Sequence, residues 1–167
     1  ALANVLAAIQ EGVAVVDSQF RDAAKLCLDG LNERSKNRPV DRLVNTHHHG
    51  DHIGGMRSFI AEGATVITTA ANRPVIEDMA AAKQNDRLAR NPRKPAFLLL
   101  ENGRRVLEDK TRRIELIDIG PNPHTREMVI AWLPAEKVLF QGDLFFVPNN
   151  DAPFGPPQPT TVGFVKK

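Results

Sequence analysis

The sequence predicts a layered α/β fold in which helices cover sheet. Three observations carry that prediction. Strand-like and helix-like segments alternate through the first half of the chain. From about residue 105 the pattern switches to a run of short period-two segments separated by turn residues. Finally, 42% of the 167 residues are apolar and 25% charged, the balance of a soluble globular chain with enough length for one core that needs no staples.

Composition also excludes function classes. The 22 basic and 20 acidic side chains leave a net charge of +2, with no excess to grip a phosphate backbone, so nucleic acid is not the expected partner. The single cysteine, Cys27, excludes an internal disulfide and any site built on several cysteines. No apolar run approaches the roughly 18 residues of a membrane span. A soluble protein acting on a small molecule is expected. Oligomeric state is left open, as is the choice between cytoplasm and periplasm.

The elements follow in order. Residues 1–10 suit a helix by alanine content and a buried strand by their short apolar run before Glu11 and Gly12. Val13 to Val16 is a valine-rich strand ended by Asp17 and Ser18. Residues 21–35 form an amphipathic helix with Ala24, Cys27, Leu28 and Leu31 on one stripe and Asp22, Lys25, Asp29 and Glu33 outside it, Asp17 or Ser18 being placed to cap it. Arg42 to Asn45 is a short strand. Thr46 to Gly55 is polar, His-rich and Gly-rich, hence a loop. A helix begins near Met56 and stops at Gly63. Ala64 to Thr69 is a strand, and Ala70 to about Gln84 a helix that tolerates Pro74 only in its first turn. Residues 85–101, with Pro92 and Pro95, read as a long surface connection. Strands follow at 105–107, 112–119, 128–133 and 138–140. Residues 147–160 hold five prolines and two asparagines and read as an extended loop.

Chemistry concentrates in one stretch. There are five histidines, and four of them lie between positions 47 and 52, in Thr46-His47-His48-His49-Gly50-Asp51-His52-Ile53-Gly54-Gly55. The loop directly follows a strand, and in layered α/β folds sites sit at the carboxyl ends of strands. Imidazole and carboxylate are the donors that zinc, iron and manganese use. His47 and His49 alternate and can converge on one cation, leaving Asp51 and His52 for a second. Gly50, Gly54 and Gly55 let the backbone turn tightly enough to aim these ligands inward. His48 points the other way and reads as a spacer. A chance surface run of histidines is the bland alternative, as is a tag remnant. A tag would sit at a terminus and would lack the aspartate and the glycines. The spacing also differs from His-Glu-x-x-His, whose ligands lie one helical turn apart.

The same stretch resembles the signature loop of the metallo-β-lactamase-fold hydrolases, in their His-x-His-x-Asp-His branch. Gly12 to Asp17 resembles the family's strand before its first helix. Pro121-Asn122-Pro123-His124-Thr125 resembles the loop bearing a third histidine, and Val138 to Phe145 the strand ending in a metal-bridging aspartate. The resemblance implies a partial αββα sandwich, with mixed sheets flanked by helices. It implies that His47, His49 and His124 hold one zinc, that Asp51 and His52 belong to a second, and that Asp143 bridges them. One or two Zn2+ ions are implied, with iron or manganese as substitutes. Without the resemblance, His124 reads as a proline-flanked surface histidine and Asp143 as a turn or cap residue. Asp17 is expected to be a supporting carboxylate without a direct catalytic role. Two cations roughly 3.5 to 4 Å apart generate hydroxide near neutral pH, so the implied activity is hydrolysis of an ester, thioester, lactone, lactam or phosphoester by a metal-activated hydroxide, with Asp51 as the catalytic residue that orients it.

The departures matter. The family's second metal takes one more histidine beyond the position of Asp143, and here no histidine follows His124, with the last residue 24 positions past Asp143. The chain also opens on Ala1 without an initiator Met and without a signal-peptide pattern. Residues 1–167 are therefore expected to be a single domain incomplete at its carboxyl and amino ends, its parent continuing with a strand that ends in histidine. His49 stands where the di-iron flavoprotein branch carries Glu. Asp143 stands where many β-lactamases of this fold carry Cys, which shifts weight toward thioester, lactone, ester or phosphoester hydrolysis. Two other readings stay open: a non-catalytic metal-binding domain with an incomplete second site, and a nuclease of the same fold.

Overall fold

The computed structural model describes residues 6–9, 12–35, 38–146, 148 and 152–166. In chain order the elements are β1 (Leu6–Ile9), β2 (Gly12–Val16), α1 (Arg21–Arg34), β3 (Val40–Val44), α2 (Gly50–Ile53), α3 (Met56–Glu62), β4 (Thr65–Thr68), α4 (Arg73–Ala81), α5 (Arg87–Arg90), β5 (Ala96–Leu99), β6 (Arg104–Glu108), β7 (Arg113–Asp118), β8 (Val129–Leu133), β9 (Val138–Phe140) and α6 (Pro159–Val165).

They build two sheets. The first has the order β1-β2-β3-β4-β5 and the second β6-β7-β8-β9. In the first sheet β1 runs antiparallel to β2, while β2 to β5 are mutually parallel. The second is antiparallel throughout. Side-chain alternation along β2 shows why both faces of the first sheet must be covered. Val13 and Val15 enter one core with Ala24, Leu28, Met56 and Phe59 of the helices. Ala14 and Val16 enter a second core with Leu116, Val129 and Ala131 of the facing sheet. A third cluster of Met128, Ile130 and Leu144 packs under Phe164 of α6. The layers are therefore helix, sheet, sheet, helix, as the family resemblance implies, and a strand buried on both faces reads as an unbroken apolar run.

Several local expectations are corrected. Residues 85–101 are not a plain connection. Asp86 caps α5, its carboxylate accepting from Ala89 N, and Ala96–Leu99 adds β5 in parallel to the edge of the first sheet. The expected loop at 46–55 contains the short α2, with His49 at its N-cap position. The expected loop at 147–160 ends in α6, because proline at its first position costs no helical hydrogen bond. Residues 147 and 149–151 of that expectation lie outside the described residues, as do 1–5 and 10 of the ambiguous first segment. The stripe of α1 holds for Ala24, Leu28 and Leu31, which are buried, whereas Cys27 is half-buried. Neither Asp17 nor Ser18 caps α1: Phe20 occupies that position without a side-chain bond, because both polar residues are engaged by the histidine loop. Among the described residues no helix is long and apolar enough to cross a membrane.

Candidate metal centre

The histidine loop leaves β3 at Val44 and stays tied to both sheets. Asp17 N donates to Val44 O at 2.8 Å, Asn45 N donates to Ile67 O at 2.9 Å, and Val129 N donates to Thr46 O at 2.9 Å. Thr46 thus stitches the end of the first sheet to β8 of the second, and the loop is held where the two sheets meet. Beneath it lies a buried polar layer. Asn45 Nδ2 donates to His47 O at 2.7 Å, while Asn45 Oδ1 accepts from Thr68 Oγ1 at 3.3 Å and Asn72 Nδ2 at 3.4 Å.

Two of the three loop glycines do a different job from the one expected. Gly54 and Gly55 have φ of −57° and −88°, which any residue adopts, so they do not supply a special turn. They supply clearance. A Cβ on Gly55 would lie 2.3 Å from Ser18 O and 2.5 Å from Ala24 Cβ, and one on Gly54 would lie 2.6 Å from Gly50 O. Gly50 has open space around it. A left-handed glycine is required at Gly142 (φ 63°), immediately before Asp143.

All six residues singled out from sequence come together. His47, His49, His124 and Asp143 form one group that could hold a metal ion, and Asp51, His52 and Asp143 form a second. Within each group the donor atoms lie within 4.8 Å of one another, and Asp143 is shared. His124 Nε2 is 3.1 Å from His47 Nε2, and Asp143 Oδ2 is 3.1 Å from His52 Nε2 and 3.4 Å from His124 Nε2. Asp51 Oδ2 lies 3.5 Å from His52 Nε2. His48 is turned toward Glu127, with Nδ1 3.6 Å from Oε1, and is in neither group, which agrees with a spacer.

Hydrogen bonds set the tautomer of His47 and the orientation of His52. The Thr46 hydroxyl donates to Asp17 Oδ2 at 2.7 Å, so its oxygen can only accept from His47 Nδ1, 2.9 Å away. His47 Nδ1 therefore carries the proton and its Nε2 presents a lone pair to the cluster. His52 Nδ1 lies 2.7 Å from Asp17 Oδ2 and donates to it, which turns Nε2 toward Asp143 Oδ2. Asp17 also accepts from Thr46 N at 2.9 Å. One buried carboxylate thereby fixes two histidines, as second-layer acceptors do in metal sites. The sequence reading placed Asp17 among the supporting residues but could not say what it supports, and it gave Thr46 no role.

The electrostatics fit a cation. Burial, followed by repulsion from His52, His49, His124 and His48, pushes His47 down to about 2. Burial and the neighbouring imidazoles lower His49 as well. These rings are neutral near pH 7 and offer lone pairs. Burial opposes a charge on His52, but the hydrogen bond and charge of Asp17, then Asp143 and Asp51, outweigh it and raise the group to about 9. In that position a proton meets the negative field that a metal ion would otherwise satisfy. Burial pushes the Asp17 carboxyl up, opposed by His52 and Thr46. A cavity of about 480 Å3 lies elsewhere: it is lined by Arg57, Lys83, Gln84, Arg93 and Lys94 among others, and none of the donors borders it. Convergent chemistry, not cavity size, marks this centre.

Comparison with known proteins gives the same fold. The metallo-beta-lactamase superfamily model matches residues 3–164. A metallo-beta-lactamase from Pontibacter korlensis superposes with a TM-score of 0.65 at 23% identity, covering 89% of this chain and 62% of that one. The DIM-1 metallo-beta-lactamase gives 0.62 at 19% identity, over 89% and 62%. TMB-1 gives 0.63 at 17% identity, over 89% and 61%. The chain spans about three fifths of the length of these structures. No curated protein matches it.

Proposed function

The chain belongs to the metallo-beta-lactamase superfamily, and from that premise we propose that it is the metal-holding part of a hydrolase that opens an ester, thioester, lactone, lactam or phosphoester bond. The observation that carries the reading is the convergence of four imidazole and two carboxylate side chains into two groups sharing Asp143. Its chemistry is all nitrogen and oxygen, which suits zinc and also admits iron or manganese.

In this reading His47, His49 and His124 hold one cation, Asp51 and His52 hold a second, and Asp143 lies between them. A bound divalent cation supplies Lewis acidity and a water acidified toward neutral pH. The residues of the chain supply the rest. Thr46 and Asp17 hold Nδ1 of His47 and His52, so that Nε2 of each is aimed inward. Asp51, whose side chain is 46% exposed, is positioned at the solvent side of the cluster to orient the attacking water and accept its proton. The buried Asn45, Thr68 and Asn72 hold the loop backbone rigid beneath the donors, so that little reorganisation is needed when substrate binds.

The second group has three donors where the first has four. That difference favours a tighter first site, and in the limit a domain that binds one metal without turning over substrate. The zinc-loaded chain is tested on a panel of esters, thioesters, lactones, lactams and phosphoesters beside His49→Ala. Hydrolysis that needs metal and is abolished in His49→Ala supports the hydrolase. One tightly bound equivalent with no turnover on the whole panel selects the non-catalytic reading.

A further inference from the structure

The cavity of about 480 Å3 that none of the metal donors borders is ringed by cations without counter-charge. Lys83, Arg93 and Lys94 line it, and no carboxylate does. All three are exposed. Among the described residues none of them has an acidic partner, because the nearby Asp86, Glu77 and Glu62 are paired with Arg57, Arg73 and Arg87. Arg57 also lines the cavity, but its charge is met by Asp86, and its Nη1 donates to Met79 O at 3.0 Å and Ala80 O at 2.5 Å. Those bonds cover carbonyls at the end of α4, whose negative pole would otherwise oppose an anion. Gln84 adds an amide to the lining. Its Oε1 is buried without a donor among the described residues, which leaves Nε2 as the end that a ligand can meet. Ala81, Leu88 and Pro92 complete the wall with apolar surface. A second cavity of about 430 Å3 adjoins the first and shares Arg93 and Lys94 with it.

The place of this cavity in the fold sets it apart from the donors. Lys94 and Pro95 directly precede β5, whose Ala96 pairs with Thr65 at the start of β4. The cavity therefore lies at the amino ends of these parallel strands. The histidine loop leaves from their carboxyl ends, where Asn45 N donates to Ile67 O. Helix α4 spans the distance. Asn72 at its start donates to Asn45 Oδ1 beneath the donors, while Ala80 and Ala81 at its end line the cavity. Its nine residues cover about 13 Å. A molecule in the cavity is thus not the group that meets the metal centre.

We infer that this cavity is a second ligand site, built for a small phosphate monoester. Cations gathered around a concavity with no carboxylate among them raise the local concentration of anions. A phosphate monoester, with a second pKa of about 6, is a dianion above neutral pH and offers three acceptor oxygens. The Arg93 fork, the two ammonium groups and the Gln84 amide meet those oxygens. A carboxylate brings one charge and two oxygens and leaves part of this set unused. The apolar wall of Ala81, Leu88 and Pro92 takes the carbon of the ester. The site needs neither metal nor turnover, so it stands or falls apart from the hydrolase reading.

The test is a titration of the metal-free chain with propyl phosphate, butyrate and 1-propanol at about pH 8, followed by backbone amide NMR, so that no metal can capture the anion. Propyl phosphate is expected to shift amides between Ala80 and Lys94 and to bind about fivefold tighter than butyrate, and 1-propanol to shift none of them. Arg93→Glu is expected to weaken propyl phosphate about tenfold or more, and Lys94→Gln about two- to fivefold. Arg104→Glu changes the net charge equally but lies on the second sheet, and it should bind like the parent. Since Arg93, Lys94 and Arg104 are all exposed, these variants are expected to fold. Shifts confined to the histidine loop overturn the assignment, as does an Arg93→Glu chain that binds like the parent. Equal loss in Arg93→Glu and Arg104→Glu reduces the effect to net charge and overturns it too. So does equal affinity for propyl phosphate and butyrate. Much tighter binding of a DNA oligonucleotide through the same amides would make this face a nucleic-acid surface and overturn the small-molecule site.

Discussion

Asp17 Oδ2 lies 2.7 Å from His52 Nδ1, across 35 residues of sequence. The contact decides which nitrogen of His52 faces the donor cluster. The same oxygen takes the hydroxyl proton of Thr46 and, through it, sets His47. A fully buried carboxylate at the end of β2 is thus the hub for one histidine of each donor group.

Asp17→Asn tests that hub. The amide keeps the shape but offers one acceptor oxygen where three donors converge, so His52 loses the partner that fixes its ring. Zinc affinity is expected to fall about 10- to 100-fold, read by competition with a chelator. A melt recorded beside it separates loss of affinity from loss of fold. Unchanged affinity in a folded variant contradicts the assignment.

Gly55→Ala and Gly50→Ala test the claim that the loop glycines provide clearance, not backbone freedom. A Cβ at Gly55 runs into Ser18 O and Ala24 Cβ, so the variant is expected to lose about 1–3 kcal/mol or more in urea unfolding. Gly50 has nothing within 4 Å and begins α2, so its substitution should change stability by less than about 0.5 kcal/mol. Equal losses at the two positions contradict the reading.

The acid limb of stability is expected to depend on Asp86. Its carboxylate takes hydrogen bonds from Arg57 Nε and Nη2 and caps α5 through Ala89 N. The Arg57 bond, foremost, holds its pKa below 3.8. A group depressed in the folded state contributes stability that is fully present above its unfolded value and is lost as pH falls through the folded value. Asp86→Asn keeps a capping oxygen but removes the charge. It should therefore be less stable than the parent at pH 6, and the gap should close as pH is lowered below 3.8. A gap that stays constant with pH argues against the charge.

Which parts of this were legible in the sequence follows from where the information lies. The candidate donors at 47–52 were readable because their pattern is local: four residues at fixed spacing after a strand. His124 and Asp143 were readable only through resemblance, since nothing near them in the chain distinguishes ligands from a surface histidine and a turn aspartate. The partnership of Asp17 with Thr46 and His52 was not readable, because it is made by the pairing of β2 with β3 and not by spacing. β5 was missed because Pro95 abuts it and charged residues surround it, while the pairing that creates it is with β4, some thirty residues away. The sequence left an element from Thr161 open between helix and strand, and the start of α6 was hidden because its first residue, Pro159, reads as a continuation of the proline-rich loop.

His48→Ala and His49→Ala form a matched pair one residue apart. His48 faces Glu127 and His49 faces His124. Metal content after zinc loading and gel filtration is expected to be unchanged for His48→Ala and reduced for His49→Ala. A loss in both would mean that the loop itself collapses, and a loss only in His48→Ala would reverse the assignment.

The central claim is that two donor groups share Asp143. The most direct measurement is a titration of the metal-free chain with zinc in competition with a chromophoric chelator, for the parent and Asp143→Ala. The account predicts two equivalents in the parent, the second weaker than the first, and weakened binding of both in Asp143→Ala. No binding to the parent, or an Asp143→Ala isotherm that overlays it, contradicts the account.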